Sequence, residues 1–210
     1  MEEKSYDTET FIKTYLKRNT KPYYFWRAIS FFLAYFFYRP TFIGKENIPE
    51  EGPVVLASNH CHLPDPGFVL ISTRRVVRYL AKKQLHDSIM GPIYKAACTI
   101  PVDREHGAHN SLVTAEVALR QGEVIGIFPE GTRNKKGYGT LLPFKIGAVK
   151  MAKETGAKIV PIALVSRGKP FIDPYKIIIG EAYTIGPDSD LNEENDILRE
   201  KIDKLLKENS

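Results

Sequence analysis

Two side chains that suit acid–base catalysis, His60 and Asp65, lie five positions apart in the sequence. The apolar residues 54–57 predict a short buried strand, so His60 emerges at its carboxyl end, where open α/β sheets bind their ligands. Pro64 and Pro66 disfavour helix at the residue before each of them, which predicts a turn between His60 and Asp65. On a helix the two residues would point about 140° apart, whereas a turn can bring the carboxylate to one imidazole nitrogen. The other nitrogen is then free to take a proton, as in a catalytic dyad.

Three further segments follow the pair in the sequence. They are Ile-Pro-Val-Asp-Arg at 100–104, Phe-Pro-Glu-Gly-Thr-Arg-Asn at 128–134 and Val-Pro-Ile-Ala-Leu at 160–164. A histidine and an aspartate at this spacing occur by chance in many chains, but the four blocks in this order are specific. Together they resemble the motifs of the glycerolipid acyltransferases, of the type that acylates 1-acylglycerol 3-phosphate.

The resemblance implies a reaction and a role for each member of the pair. His60 removes the proton from a hydroxyl group as its oxygen attacks a thioester carbonyl, and Asp65 fixes the imidazole tautomer and stabilises the imidazolium. We therefore expect no serine or cysteine nucleophile, no metal and no cofactor. The plainer alternatives are a core histidine bonded to a backbone carbonyl and an aspartate that caps the next helix, and Asp65 can both cap and orient.

Cations just beyond three predicted strands are the candidates for holding the phosphate of the acceptor. Arginine matches a phosphate fork, and Arg104 and Arg133 lie where the family has basic residues for this phosphate. Lys82 falls where members of the family often carry a phosphate-binding lysine, and its neighbour Lys83 leaves that assignment ambiguous by one position. A solvated surface cation is the alternative for each of them.

The third block adds Glu130, Gly131 and Thr132 to the expected substrate site. In the family the glutamate is thought to contact the glycerol portion of the acceptor, and the glycine permits close backbone approach or a positive φ. The fourth block, at 160–164, helps to shape the acyl pocket in the family. A plain turn and an apolar strand without a function are the alternatives for these two blocks.

Cys61 and His62 stand inside the same turn and offer a competing interpretation. A cysteine beside histidines can be a nucleophile or a metal ligand, but three consecutive residues cannot readily surround one ion and no third ligand cluster is visible. We expect His62 to face solvent or the rim of the pocket. The chain has two cysteines and no Cys-x-x-Cys pair, which favours a reducing compartment without disulfides or zinc.

The composition predicts a globular chain with an acidic partner. A length of 210 residues, with 43% hydrophobic and 26% charged residues, is sufficient for one domain with a sizeable core. The net charge of +5 points to nucleic acid, anionic lipid or an acidic carrier protein. Nucleic acid is disfavoured, because the sequence contains no phosphate-cradling Gly-x-x-x-x-Gly-Lys-Ser/Thr loop and no zinc spacing.

Residues 11–45 form a basic and aromatic segment. They include seven basic residues, no acidic residue and 13 of the 23 aromatic residues of the chain. Interleaved rings and cations suit an anionic membrane surface, where each cation contributes about 1 kcal/mol. We expect residues 1–45 to be an amphipathic helical segment at the membrane interface, ahead of a catalytic domain over 46–210. A helix pair that packs on the domain in water is the alternative.

The same segment is not expected to cross the bilayer. Residues 23–38 would form a helix of about 24 Å, against a hydrocarbon core of about 30 Å, and they include Arg27. A signal peptide is also not expected, because no small-x-small cleavage site follows.

Strands and helices alternate after Pro53. Strands are predicted at 53–58, 77–81, 99–102, 124–128, 158–165 and 175–185. Helices are predicted at 66–75, at 84–96 with a break near Gly91-Pro92, and at 109–121, 144–155 and 193–208. This alternation predicts an α/β fold with a mostly parallel sheet flanked by helices on both faces.

A basic cluster lies between residues 74 and 83. Its members are Arg74, Arg75, Arg78, Lys82 and Lys83. Such a cluster suits an acidic acyl carrier protein or the phosphates of coenzyme A, and a solvated edge explains it equally well.

The leading functional hypothesis is therefore an acyltransferase of phospholipid biosynthesis at the cytoplasmic face of the membrane. It would move a fatty acyl group from acyl carrier protein or coenzyme A to lysophosphatidic acid, giving phosphatidic acid. One alternative keeps the fold and the dyad but uses another lysophospholipid or a lyso-aminolipid as acceptor. A second alternative is a non-catalytic lipid-binding protein on the same scaffold.

Overall fold

After Pro53 strands and helices largely alternate along the chain. The computed structural model describes residues 8–17, 19–103, 109–137, 139–166, 169–172 and 174–209. Within these ranges the helices are α1 (Thr8–Leu16), α2 (Lys21–Tyr38), α3 (Asp65–Ser72), α4 (Lys83–His86), α5 (Gly91–Ala96), α6 (His109–Arg120), α7 (Gly147–Thr155) and α8 (Leu191–Asn209). The strands are β1 (Thr41–Ile43), β2 (Val54–Ser58), β3 (Val77–Lys82), β4 (Ile100–Val102), β5 (Val124–Ile127), β6 (Lys158–Val165) and β7 (Lys176–Ile179).

The strands form one seven-stranded sheet in the order β1-β7-β6-β2-β5-β3-β4. All neighbours are parallel except β6 and β7, which are antiparallel. Every residue of β2 is buried, as expected for a central parallel strand that is covered on both faces. Because β2 and β5 are parallel neighbours, the segments after Ser58 and after Ile127 meet at the same edge of the sheet.

Two hydrophobic cores cover the two faces of the sheet. One contains Leu119 of α6, Met151 of α7 and Ile202 of α8. The other contains Tyr23 of α2 and Phe68 of α3. The predicted mostly parallel sheet with helices on both faces is confirmed.

The last predicted strand, at 175–185, is shorter in the structure and ends at Ile179. Pro161 of the neighbouring strand has no N–H to donate, so the ladder is interrupted there. Pairing resumes as an isolated bridge between Ile159 and Tyr183.

The helix predicted at 144–155 begins three residues late, at Gly147. Two backbone N–H groups of the preceding segment bond elsewhere: Leu142 donates to Glu130 at 2.9 Å and Lys145 donates to Pro129 O at 2.9 Å. These tertiary contacts hold the segment outside the helix. Gly156 ends the helix at a φ of +67°, as its position in the sequence predicts.

The N-terminal helices pack on the domain. The Arg78 guanidinium, which is buried, pairs with Glu123 and donates to Tyr15 O at 3.0 Å and Leu16 O at 3.2 Å at the end of α1. The expected boundary between residues 45 and 46 does not coincide with a break in this packing, because β1 (Thr41–Ile43) pairs with β7.

The helix α2 runs along α3 from one edge of the sheet to the other. Near its start, Tyr23 Oη accepts from Val77 N at 2.9 Å, and near its end the Tyr38 ring lies 5.4 Å from that of Tyr175. The outer face of α2 exposes Phe25 (62%) and Phe32 (65%). Of the helices in the described ranges, none combines the length and the apolar character that crossing a bilayer requires.

Candidate active site

The turn between β2 and α3 brings His60 and Asp65 together. His60 Nδ1 lies 2.8 Å from Asp65 Oδ2, and the Asp65 side chain is 1% exposed against 16% for His60. Asp65 Oδ2 also accepts the backbone N–H groups of Cys61 at 2.7 Å and His62 at 2.8 Å. The expectation that Asp65 caps α3 is wrong: Pro64 holds the cap position, and the carboxylate turns back into the preceding turn.

These contacts define the hydrogen on the His60 ring. Backbone N–H groups can only donate, so Asp65 Oδ2 acts as an acceptor for all three of its partners. The hydrogen between Asp65 and His60 therefore belongs to His60 Nδ1, and in the neutral ring the lone pair lies on Nε2. Among the described residues, none forms a hydrogen bond with Nε2 of His60.

Tyr175, just before β7, completes the surroundings of Asp65. Its hydroxyl donates to Asp65 Oδ1 at 2.6 Å. Burial, and then the charge of Asp65, raises the pKa of Tyr175, so the hydroxyl keeps its proton. The ring stacks on Phe68 of α3 with centroids 3.9 Å apart. Tyr175 could not be predicted from the sequence, because nothing in its local pattern connects it to a turn 110 positions earlier.

The loop after β5 holds the other side of His60. Glu130 Oε1 accepts the His60 N–H at 2.9 Å, and Asn134 N donates to His60 O at 2.7 Å. The Phe128 ring stacks on the imidazole, with centroids 4.1 Å apart and planes inclined by 19°. His60 is thus fixed by its backbone, its Nδ1 and one face of its ring.

Glu130 is buried and bonded at both carboxylate oxygens. Besides the His60 contact, its Oε2 accepts Leu142 N at 2.9 Å. Burial raises the pKa of Glu130, and the two backbone donors oppose that shift. Its observed contacts are with the backbone, so its role towards the acceptor stays a prediction.

Asn59 joins the end of β2 to β6. Its side-chain oxygen accepts Leu164 N at 2.7 Å, and its side-chain nitrogen donates to Leu164 O at 3.0 Å. The amide thereby replaces a backbone pairing where β2 stops. Its position next to His60 was the only sequence signal for this role.

The surroundings of Cys61 and His62 do not favour a nucleophile or a metal ligand. Burial, followed by the charges of Asp65 and Glu130, raises the pKa of the Cys61 thiol to about 12. His62 Nε2 lies 2.9 Å from Ser166 O, which anchors the turn to the end of β6. In the part of the chain that the structure describes, no group of three or more His, Cys, Asp or Glu side chains is arranged to hold a metal ion.

Two of the expected phosphate cations lie at the same edge of the sheet, Arg133 in the loop after β5 and Lys82 at the end of β3. Arg133 is exposed and precedes Asn134, whose N–H bonds to the turn of His60. Lys82 is exposed at the end of β3, whereas Lys83 Nζ pairs with Asp103 Oδ2 at 3.1 Å. Arg104 lies outside the described residues.

Gly131 has a φ of +69°, a conformation that side chains other than glycine rarely adopt. A Cβ there would lie 3.0 Å from Lys145 Cε, so the Lys145 side chain crosses close over this turn. Thr132 is exposed beside it. The sequence does not predict this contact of Lys145, because its pattern favours a helix over 144–155.

The basic cluster of residues 74–83 is not one surface. Arg74 is exposed before β3, at the edge opposite to His60, whereas Lys82 lies at the far end of that strand. Arg78, between them, is buried in its pair with Glu123. The prediction of a single docking patch made of all five residues is therefore wrong.

Several known proteins are similar to this chain in sequence. The family model described as acyltransferase matches residues 39–165. A 1-acyl-sn-glycerol-3-phosphate acyltransferase of Bacillus subtilis is 36% identical over 149 residues, which are 66% of this chain and 70% of that protein. A protein of the same name from Borreliella burgdorferi is 33% identical, over 61% of this chain and 52% of its own length.

A solved structure shares the fold. The crystal structure of the 1-acyl-sn-glycerophosphate acyltransferase PlsC from Thermotoga maritima superposes with a TM-score of 0.70, at 21% identity, over 95% of this chain and 87% of that one. The family match covers more than half of the 210 residues. This chain belongs to the acyltransferase family.

Proposed function

We propose that the chain transfers a fatty acyl group from an acyl thioester, carried by acyl carrier protein or coenzyme A, to the sn-2 hydroxyl of 1-acylglycerol 3-phosphate. The product is phosphatidic acid. The family and the names of the relatives support this reaction. The observation that carries the proposal is the 2.8 Å contact of His60 Nδ1 with Asp65, which leaves the lone pair of Nε2 at the open side of the ring.

In the proposed mechanism His60 Nε2 takes the hydroxyl proton while the oxygen attacks the thioester carbonyl. A carbon–oxygen bond forms, and collapse of the tetrahedral intermediate breaks the carbon–sulfur bond. The imidazolium returns its proton to the departing thiolate, which leaves as a thiol. Asp65, bonded to Nδ1, stabilises the imidazolium without taking the proton.

The acceptor phosphate needs cations beside His60. We assign this role to Arg133 and Arg104, with Lys82 as a further candidate. Arg133 is supported by its exposure next to Asn134, which bonds to the His60 turn. Lys145 adds a cation above Gly131.

In this proposal the third block positions the catalytic base as well as the acceptor. Glu130 holds the His60 N–H and the Leu142 N–H together, so it positions the base in addition to any contact with the glycerol portion. Gly131 and Thr132 lie at the open turn that follows and form the wall towards the acceptor.

The membrane location is proposed from the outer face of α2. Large exposed apolar patches on a protein mark interaction surfaces, and here Phe25, Phe32 and Phe36 are 62%, 65% and 58% exposed. Phe171, 56% exposed, extends the patch with its ring 5.7 Å from Phe36. Since α2 reaches the edge that carries His60, an interfacial α2 would present the active site to lipid. The free thiols of Cys61 and Cys98 suit the cytoplasmic face.

Surface substitutions test this location better than deletion of the segment, because Tyr23 of α2 is part of the core. The triple variant Phe25→Ser/Phe32→Ser/Phe36→Ser is expected to lose flotation with vesicles of phosphatidylcholine and phosphatidylglycerol. Ile197→Ser, at an exposed position of α8, is the matched control. Unchanged flotation of the triple variant would contradict the interfacial proposal.

A panel of acceptors tests the reaction. The purified chain receives 1-acylglycerol 3-phosphate, 1-acylglycerophosphocholine or a lyso-aminolipid, each with acyl carrier protein and coenzyme A thioesters, and products are identified by mass spectrometry. We expect phosphatidic acid as the main product. A preference for an acceptor without a phosphate monoester would contradict the assigned substrate.

A further inference from the structure

A cleft lies at the opposite edge of the sheet from His60. It encloses about 740 Å³ between α2, the end of α3 and the segment before β2. Four of the residues that line it are cationic, namely Arg27, Lys45, Arg74 and Arg75, and one is acidic, Glu50. Because α3 begins at Asp65 and ends beside the cleft, its eight residues, about 12 Å of helix, separate the cleft from the catalytic turn.

Two of the four cations brace the backbone. Arg27 Nη2 donates to Thr73 O at 2.5 Å and Nε to Leu70 O at 3.4 Å, so it satisfies the carbonyl end of α3. Arg75 donates to Pro49 O at 2.9 Å and Gly52 O at 2.6 Å. These contacts fix the walls of the cleft.

The other two cations have no counter-ion in the described part of the chain. Neither Lys45 nor Arg74 forms an ion pair there, and Arg74 is exposed. Partial burial, and then the charges of Arg27 and Arg74, lowers the pKa of Lys45, as expected when like charges are held close together. With Glu50 as the single carboxylate in the lining, the cleft keeps a surplus of positive charge that an anion can neutralise.

An apolar wall accompanies this charge. Phe31 lines the cleft, is 47% exposed, and its ring lies 4.4 Å from that of Tyr35 one turn further along α2. The cleft thus opens onto the flank of the aromatic face of α2. A ligand that fits it has an anionic head for Lys45 and Arg74 and an apolar part for Phe31.

We propose that this cleft binds the phosphate of an anionic membrane phospholipid, at a site separate from the acyl-transfer centre. The lipid is not a substrate there, since the cleft and His60 lie at opposite edges of the sheet. Occupancy would hold the start of α2 at the membrane while its other end presents the catalytic turn. This role goes beyond the proposed reaction and does not depend on it.

The test uses a lipid that forms no membrane. Dihexanoyl phosphatidylglycerol, kept below its critical micelle concentration, is titrated into the full chain and followed by calorimetry. We expect saturable binding that Lys45→Ala/Arg74→Ala weakens about tenfold or more. Lys150→Ala, which removes an exposed charge from α7, and the charge-conserving Lys45→Arg/Arg74→Lys should bind like the wild type. Phe31→Ala should weaken binding to a lesser degree.

Several outcomes would overturn the proposal. Undiminished binding by Lys45→Ala/Arg74→Ala places the lipid elsewhere, including at the catalytic turn. Equal binding of inorganic phosphate makes the site one for a free anion, and equal binding of dihexanoyl phosphatidylcholine removes the preference for anionic lipid. Acyl transfer is not measured here, so a failure of the proposed reaction leaves this result unaffected.

Discussion

The hydroxyl of Tyr175 donates to Asp65 Oδ1 at 2.6 Å, while the other oxygen of the same carboxylate receives His60 Nδ1 at 2.8 Å. One oxygen therefore faces the proposed base, and the other faces a tyrosine that precedes β7, two strands away from β2 in the sheet. With the N–H groups of Cys61 and His62, the carboxylate has four hydrogen-bond partners and is 1% exposed. These contacts fix the position of the Asp65 carboxylate, which in turn fixes the orientation of the His60 ring.

Tyr175→Phe should lower both stability and turnover. The substitution keeps the ring stack on Phe68 and removes one hydrogen bond to a charged group, worth about 1.5–3 kcal/mol. We expect chemical denaturation to show a loss in this range, and kcat to fall about tenfold with little change in KM. A wild-type kcat in the variant would show that Tyr175 does not position Asp65.

Glu130→Gln tests whether this residue positions the base. Each carboxylate oxygen of Glu130 accepts one backbone N–H, from His60 or from Leu142. Glutamine has one acceptor oxygen, so its NH₂ group would face one of these two N–H donors and that hydrogen bond would be lost. We expect a lower melting temperature and a lower kcat. If the residue acted only by binding the acceptor, KM alone would rise and stability would stay unchanged. Thr132→Ala, at the exposed neighbouring position, is the control for stability.

A stack of rings supports the imidazole. The Phe128 ring lies between His60, at 4.1 Å, and Tyr79, at 5.4 Å. Phe128→Leu should lower kcat about two- to tenfold, because an aromatic pair is worth about 0.5–1.5 kcal/mol. Phe128→Tyr keeps the stack and should retain activity. Equal activity of the leucine and tyrosine variants would contradict this role.

Gly126 makes room for the same stack. A Cβ there would lie 2.6 Å from Tyr79 Cζ, so Gly126→Ala must displace the tyrosine ring. We expect a lower melting temperature and a loss of turnover, whereas Gly122→Ala, at a position with open space around it, should change stability only through its positive φ. Unchanged turnover in Gly126→Ala would show that the ring position does not matter.

The Cys61 thiol should be unreactive at neutral pH. Its pKa is raised from 9.0 to about 12, so it stays protonated where an ordinary thiol begins to ionise. Above pH 9 the thiol of the unfolded chain ionises while the buried Cys61 thiol does not, which favours unfolding. The free energy of unfolding is therefore expected to fall as the pH rises from 9 towards 12. Iodoacetamide labelling, read by peptide mass spectrometry, should be slow at pH 8 and increase in alkali. Rapid labelling at pH 8, or loss of turnover in Cys61→Ser, would contradict the account.

The sequence predicts the parts of this structure that depend on local pattern. The apolar run before Ser58 predicts β2, and the two prolines predict the turn that joins His60 to Asp65, because both effects act within a few residues. His60 follows the strand predicted at 53–58 and Arg133 follows the strand predicted at 124–128, so the sequence also places them beyond the ends of β2 and β5. The contact of Phe128 with His60 follows from the parallel pairing of those strands.

Contacts between distant segments could not be predicted in this way. The contacts of Tyr175 with Asp65 and of Asn59 with Leu164 depend on how the sheet brings distant segments together. The late start of α7 has the same origin, since Leu142 N and Lys145 N donate to Glu130 and Pro129, which lie more than ten positions earlier in the sequence. Nothing in the sequence of the basic cluster at 74–83 indicates that Arg78 is buried and paired with Glu123.

The central claim is that His60 is a base oriented by Asp65. The most direct test measures the turnover of 1-acylglycerol 3-phosphate by His60→Ala, by Asp65→Asn and by the double variant. Each variant is first checked for an intact fold. Residues that act as a unit are not additive, so we expect each single variant to lose at least about a thousandfold in kcat and the double variant to lose no more than the worse of the two. Losses that multiply in the double variant, or turnover near the wild-type value in His60→Ala, would contradict the account.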